Sequence, residues 1–194
     1  MPKDPQIVCI HGATASSTSF NYVVDRLKLS NVKRIDYNSN TPFFKNLDNM
    51  IEEIGTNDPI FIIAHSLGGL YAVHLTQHIN IVGAVTISTP YNGSVMAEFA
   101  AKMAPTYQLF RDIGIFNPPV LRARDIEIDI PWTQIVTTNG KNPWLLADND
   151  GVVSYSSMTA RADINYEYVN HNHYEIMLSP KTTDIIKKKL SMPL

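Results

Sequence analysis

Residues 59–64 hold Ile60, Phe61, Ile62 and Ile63 in succession, with no polar residue between them. A strand with one wet face alternates apolar and polar side chains, so an unbroken run is what burial on both faces requires. That burial demands a parallel sheet with helices above and below it. The rest of the chain supplies a matching rhythm of short apolar runs and amphipathic stretches, which argues for repeated strand–helix–strand units. Residues 6–10 form a β-branched run that ends at His11-Gly12. Residues 19–29 carry Phe20, Val23, Val24 and Leu27 at helical spacing, and residues 32–37 read as the next strand. Thr41-Pro42 opens a helix that Gly55 closes. A helix over 67–78 and a strand over 81–88 follow.

The rhythm then breaks. Residues 91–130 are an interruption far longer than an ordinary strand–helix loop. Its first half, 95–115, is helical in character and rich in Met, Phe, Ala and Tyr. Its second half holds Pro118-Pro119 and the charged stretch 122–129. Rhythm returns with a strand over 132–138, an irregular loop to 153, a strand over 165–169 and a helix over 180–190. The expected architecture is α/β, with about six mostly or wholly parallel strands, helices on both faces and a helical, lid-like insertion. The chain has 194 residues, which fits one domain.

Composition narrows the partners. With 44% hydrophobic and 18% charged residues and a formal net charge of −2, nothing attracts nucleic acid by bulk charge. The run Lys187 to Lys189 reads as solvated lysines at a helix C-terminus. The single cysteine, Cys9, excludes an intrachain disulfide and reads as a core thiol beside Ile7, Val8 and Ile10. No run is long enough to span a bilayer, and residues 1–5 hold no apolar stretch before a cleavage site. The expected setting is the cytoplasm, and oligomeric state is not legible.

Chemistry concentrates in Ala64-His65-Ser66-Leu67-Gly68-Gly69, between an apolar strand and a helix. A serine hydroxyl is a weak nucleophile that needs a base and an exposed position. A tight strand-to-helix turn exposes it, provided that small residues stand two positions to either side, as Ala64 and Gly68 do. The helix beginning at Leu67 aims backbone N–H groups at the same point, which suits a developing oxyanion. By itself, the same pattern also describes a helix-capping serine on a glycine-rich turn.

Residues 64–69 resemble the nucleophile elbow of the α/β hydrolases. Ala at the first position is similar to the compact bacterial lipases, whose chains are similarly short. Three further segments fit that family in order. His11-Gly12-Ala13 resembles its oxyanion loop, which implies that the Ala13 and Leu67 N–H groups form an oxyanion hole. Ser88-Thr89-Pro90-Tyr91-Asn92-Gly93-Ser94 is similar to a Thr-Pro-x-x-Gly-Ser segment of lipases and esterases, in which Pro ends the strand and Gly permits the turn. Asn149-Asp150-Gly151-Val152-Val153 resembles the family's acid loop and implies Asp150 as the acid. Its rivals are Asp148, Asp125, Asp129 and Asp163.

His173 and the segment Tyr174-Glu175-Ile176-Met177-Leu178-Ser179-Pro180 after it resemble the family's catalytic histidine and its approach to the last helix. His171 is the alternative base. The implied order Ser66, Asp150, His173 is the one expected of α/β hydrolases. His65 is the elbow residue before the serine. His74 and His78, four apart, read as a solvated helix face rather than a metal site.

The resemblance implies a carboxylic ester hydrolase working through an acyl-enzyme, with no metal or organic cofactor. The expected partner is a small-molecule ester with an apolar acyl group. Phe99, Met103, Tyr107, Leu109, Phe110, Ile113, Ile115 and Phe116 of the insertion read either as a lid over the acyl pocket or as extra helices completing the core. A thioesterase, amidase or acyltransferase could use the same triad, and a non-catalytic binding module could use the same scaffold.

Overall fold

The computed structural model describes residues 4–55, 58–104, 106–140, 142 and 148–191. Its six strands are β1 (Gln6–Ile10), β2 (Val32–Ile35), β3 (Ile60–His65), β4 (Ile81–Ile87), β5 (Trp132–Thr137) and β6 (Asn165–Val169). They form one sheet in the order β2-β1-β3-β4-β5-β6, and every pairing is parallel. The chain leaves β1 outward to β2, then crosses back to β3 on the other side of β1. Strand order therefore reverses between β1 and β3, and a crevice opens beyond the C-terminal ends of such a pair.

Helices α1 (Asn21–Leu27), α2 (Phe43–Ile54) and α3 (Leu67–Leu75) connect the first four strands, and α8 (Pro180–Leu190) closes the described chain. The strands sort their side chains by alternation. Val8, Ile10, Ile60, Ile62 and Ala64 join Leu47, Met50 and Leu70 of α2 and α3 in one core. Ile7, Cys9, Phe61 and Ile63 join Val23 and Ile186 of α1 and α8 in the other. The unbroken run in β3 is thus two interleaved faces, each under its own helices. Full burial of a Val, Leu or Ile side chain contributes about 1.5–3 kcal/mol, which makes this strand a main anchor of the fold. Cys9 is fully buried, and burial pushes its thiol up to about 12.

Several element ends differ from the sequence expectation. The helix expected over 19–29 is a 3-10 turn (Ser17–Phe20) followed by α1, which Lys28 ends at φ 51°. β2 stops at Ile35 because residues 36–39 turn away to bond the loop after β1. The insertion holds α4 (Val95–Met103), α5 (Gln108–Ile113) and α6 (Pro118–Asp125). Pro118-Pro119, in the half for which no element was expected, opens α6, in the first turn where a missing N–H goes unmissed. A short helix, α7 (Tyr155–Met158), follows the loop that carries Asp150; residues 141 and 143–147 of that loop lie outside the described residues.

The expectation of a solvated His74–His78 face is wrong. Every residue of α3 is buried, because α6 folds across it. The His74 ring meets Phe43 and Phe44 edge-on, and its Nε2 lies 2.9 Å from the Pro119 carbonyl. α3 ends at Leu75, so His78 lies beyond it, exposed. No helix among the described residues is long and apolar enough to cross a membrane.

Candidate active site

Ser66 stands at the junction of β3 and α3 with φ 51° and ψ −121°. A non-glycine residue in such a conformation is strained by roughly 1–3 kcal/mol and persists only where its surroundings fix it. Here the Ser66 N–H donates to the Ile87 carbonyl at 2.8 Å, and Gly69 N–H donates to the Ser66 carbonyl at 3.0 Å. Gly68 lets α3 seat directly on the end of β1, since a Cβ there would run into the Ile10 carbonyl. Smallness at this position thus serves helix–strand approach as well as the turn.

Asp150 and His173 reach the same place from β5 and β6. His173 Nδ1 lies 2.7 Å from Asp150 Oδ2, and both side chains are buried. Thr137 Oγ1, at the end of β5, donates to the same oxygen at 2.5 Å, and Ser88 Oγ lies 3.0 Å from Thr137 Oγ1. Asp150 Oδ1 accepts the backbone N–H groups of Val152 and Val153 at 3.0 and 2.7 Å. The His173 N–H donates to the Asp150 carbonyl at 3.0 Å, so the two loops are also tied through the main chain. Gly140 permits that tie: a side chain there would enter the backbone of Asp150 and Gly151. Burial pushes the Asp150 carboxyl up, but hydrogen bonds from His173, Thr137 and Val153 outweigh it and hold the group below its ordinary value. An ionised Asp150 fixes the proton on His173 Nδ1 and leaves Nε2 free to accept one.

The other candidates are elsewhere. His171 is half-exposed, with Nδ1 4.0 Å from Glu175 Oε2. Asp148, Asp125 and Asp129 are exposed. Asp163 pairs with Arg161 and accepts the Ile128 N–H. His65 is buried, with Nε2 2.9 Å from the His173 carbonyl and its ring 4.8 Å from the His173 ring. Burial, then the neighbouring His173, pushes its pKa down to about 3, so it stays neutral. No group of three or more His, Cys, Asp or Glu among the described residues could hold a metal ion.

The loop carrying Ala13 is clamped by residues the sequence did not single out. Tyr37 N–H donates to His11 Nε2 at 3.2 Å, its hydroxyl donates to the His11 carbonyl at 2.9 Å, and the two rings stack at 4.2 Å. Thr14, at φ 56°, donates its N–H to Ser39 Oγ at 3.0 Å. Ser17 bonds Asp36 through N–H and Oγ at 2.7 and 2.6 Å. All these partners follow β2, and the polar stretch Asp36-Tyr37-Asn38-Ser39 was the one visible signal of them.

A cavity of about 360 Å³ joins these parts. Ser66, His173, Ala13 and Leu67 line it together. Leu109 and Ile113 of α5 form a wall, so the insertion shapes the cavity. Met177 and Leu178, after the histidine loop, form another.

No protein-family model matches the sequence, and no curated protein matches it either. Solved structures do match. The mature lipase BlEst2 of Bacillus licheniformis superposes with a TM-score of 0.68 at 14% identity, over 99% of this chain and 94% of that one. The monoacylglycerol lipase of Paleococcus ferrophilus gives 0.65 at 17% identity, over 96% and 95%. An α/β superfamily hydrolase of Oenococcus oeni gives 0.64 at 15% identity, over 99% and 95%. The fold is that of the α/β hydrolases. Within it, Ser66 occupies the turn after β3, Asp150 the loop after β5 and His173 the loop after β6.

Proposed function

We propose that this chain is a serine hydrolase that cleaves carboxylic esters of apolar acids through an acyl-enzyme on Ser66. The observation that carries the reading is the buried 2.7 Å contact between His173 Nδ1 and Asp150, on a histidine that shares a cavity with a strained, elbow-borne serine. His173 Nε2 takes the Ser66 proton as Oγ attacks the acyl carbon. The carbonyl oxygen becomes an oxyanion, held by the Ala13 and Leu67 N–H groups; one such donor contributes about 10²–10³ in kcat. Collapse breaks the ester C–O bond, and His173 returns the proton to the leaving alcohol. Water, deprotonated by the same nitrogen, then attacks the acyl-enzyme, releasing the acid and regenerating Ser66. Asp150 stays ionised, orients the imidazole and stabilises its cationic form.

The test is hydrolysis of short and medium p-nitrophenyl esters by the wild type and by Ser66→Ala, with labelling by a fluorophosphonate probe. The reading expects turnover and labelling at Ser66 that vanish in a folded Ser66→Ala variant. A wild type that neither turns over esters nor takes the label would instead be a binding module on a hydrolase scaffold. Thioesters and amides in the same assay separate the related activities.

A further inference from the structure

A cavity lined by Ser66 and His173 is expected to hold some group that recognises the rest of its substrate. No Asp, Glu, Lys or Arg is among the described residues that line it. The lining is apolar apart from backbone, the catalytic groups, neutral hydroxyls such as Thr14, Ser19 and Ser94, and His65, which burial keeps uncharged. Glu175, next to Tyr174, borders a neighbouring cleft and faces His171 at 4.0 Å, and the other nearby charges are committed elsewhere. The Asp150 carboxylate spends both oxygens on His173, Thr137, Val152 and Val153. Asp36 is bound by Ser17. Lys102 and Arg111 border a different cleft, which Glu98 and Asp112 also border.

The mouth continues the same chemistry. Val152, Tyr174 and Leu178 line the cavity and are 40%, 69% and 63% exposed, so its rim is apolar. Tyr174 is the one aromatic ring other than histidine among the described lining residues, which is too few for an aromatic cage around a quaternary ammonium. A charged substituent entering this space would lose its hydration and gain no counter-charge from the described lining residues, and that exchange is strongly unfavourable.

We propose that the site selects esters that are uncharged on both sides of the scissile bond, and rejects isosteres carrying a carboxylate or a quaternary ammonium within a few atoms of it. The proposal rests on Ser66 being an ester-cleaving nucleophile and adds the electrostatic character of acyl group and alcohol. Alkyl, aryl and glyceryl esters of apolar acids fit it; choline esters, hemiesters of dicarboxylic acids and acylated glycerol phosphates do not. Charges held many atoms away, outside the mouth, are not discriminated.

The experiment uses isosteric pairs. On the alcohol side, butyrylcholine is compared with 3,3-dimethylbutyl butyrate, its uncharged carbon analogue. On the acyl side, ethyl hemisuccinate is compared with ethyl levulinate, in which an acetyl group replaces the carboxylate. The neutral member of each pair should have a kcat/KM at least ~100-fold higher. Leu109→Lys, which sets an ammonium in the α5 wall, should narrow the succinate ratio about tenfold. Charged and neutral partners turned over within about threefold of each other would overturn the proposal, as would a Leu109→Lys variant that leaves the succinate ratio unchanged. Fluorophosphonate labelling of Ser66 without turnover of either neutral ester would overturn it while sparing the nucleophile. Absence of both labelling and turnover would remove the hydrolase reading itself.

Discussion

Ser66 is held by main chain: a left-handed backbone, two backbone hydrogen bonds and a glycine that lets a helix touch a strand. Asp150 and His173 are held largely by polar atoms, with four donors converging on one buried carboxylate. The placement of Ser66 therefore depends on shape, which an added methyl group destroys. The Asp150–His173 pair depends on protonation and donor count, which isosteric substitutions destroy without changing shape.

Asp150→Asn probes the second mechanism most severely. It keeps the outline of the side chain but removes the charge that fixes the His173 tautomer, and kcat for p-nitrophenyl butyrate should fall by about 10⁴. An effect below tenfold would mean that another group orients the histidine. Gly68→Ala probes the first. The new Cβ meets the Ile10 carbonyl, so α3 must shift. Destabilisation of about 1–3 kcal/mol and a fall of about 10² in kcat should appear together, in thermal melts and in kinetics.

His65 lies between the two halves. In the unfolded chain it takes a proton near pH 6.5, but in the fold only near pH 3. Its neutral form is thus favoured by folding, and stability is lost as pH falls from 6.5 toward 3. Between pH 7 and 5 the wild type should lose about 2 kcal/mol more in urea unfolding than His65→Asn, roughly a thirtyfold change in the folding equilibrium. Equal losses would mean that His65 is protonated in the fold.

Smaller effects separate positioning from chemistry. Thr137→Val removes one donor to Asp150 Oδ2, and kcat should drop about tenfold at nearly constant KM, with recovery in Thr137→Ser. Ser39→Ala frees the Thr14 N–H and loosens the loop that carries Ala13. About a fivefold loss in kcat is expected with an unchanged melting temperature, whereas a lowered melting temperature at full activity would make the clamp purely structural.

Local features were legible in the sequence. The strand–turn–helix around Ser66 was readable because it is set by neighbours within a few residues, and the motifs around Asp150 and His173 picked out two side chains that the fold brings within 2.7 Å. The parallel sheet was readable because burial on two faces leaves an unbroken apolar run. What escaped depends on contacts across the chain. Thr137 meets Asp150 only because the β5 end lies beside the acid loop, and Ser39 meets Thr14 only because β2 pairs with β1. His74 looked solvated because it was read together with His78, although the rest of Leu67–Leu75 is apolar on every face and so announces cover all round.

The insertion leaves after β4 and returns before β5, and those two strands pair side by side. Nothing in α4 to α6 supplies a rung of the sheet, yet α5 walls the cavity. A lineage could therefore exchange this segment for another of different length or lining and keep Ser66, Asp150 and His173 in place. The residues that shape the cavity wall and those that carry the proposed chemistry thus fall on separate stretches of the chain, and a graft between β4 and β5 is the natural unit for redesign.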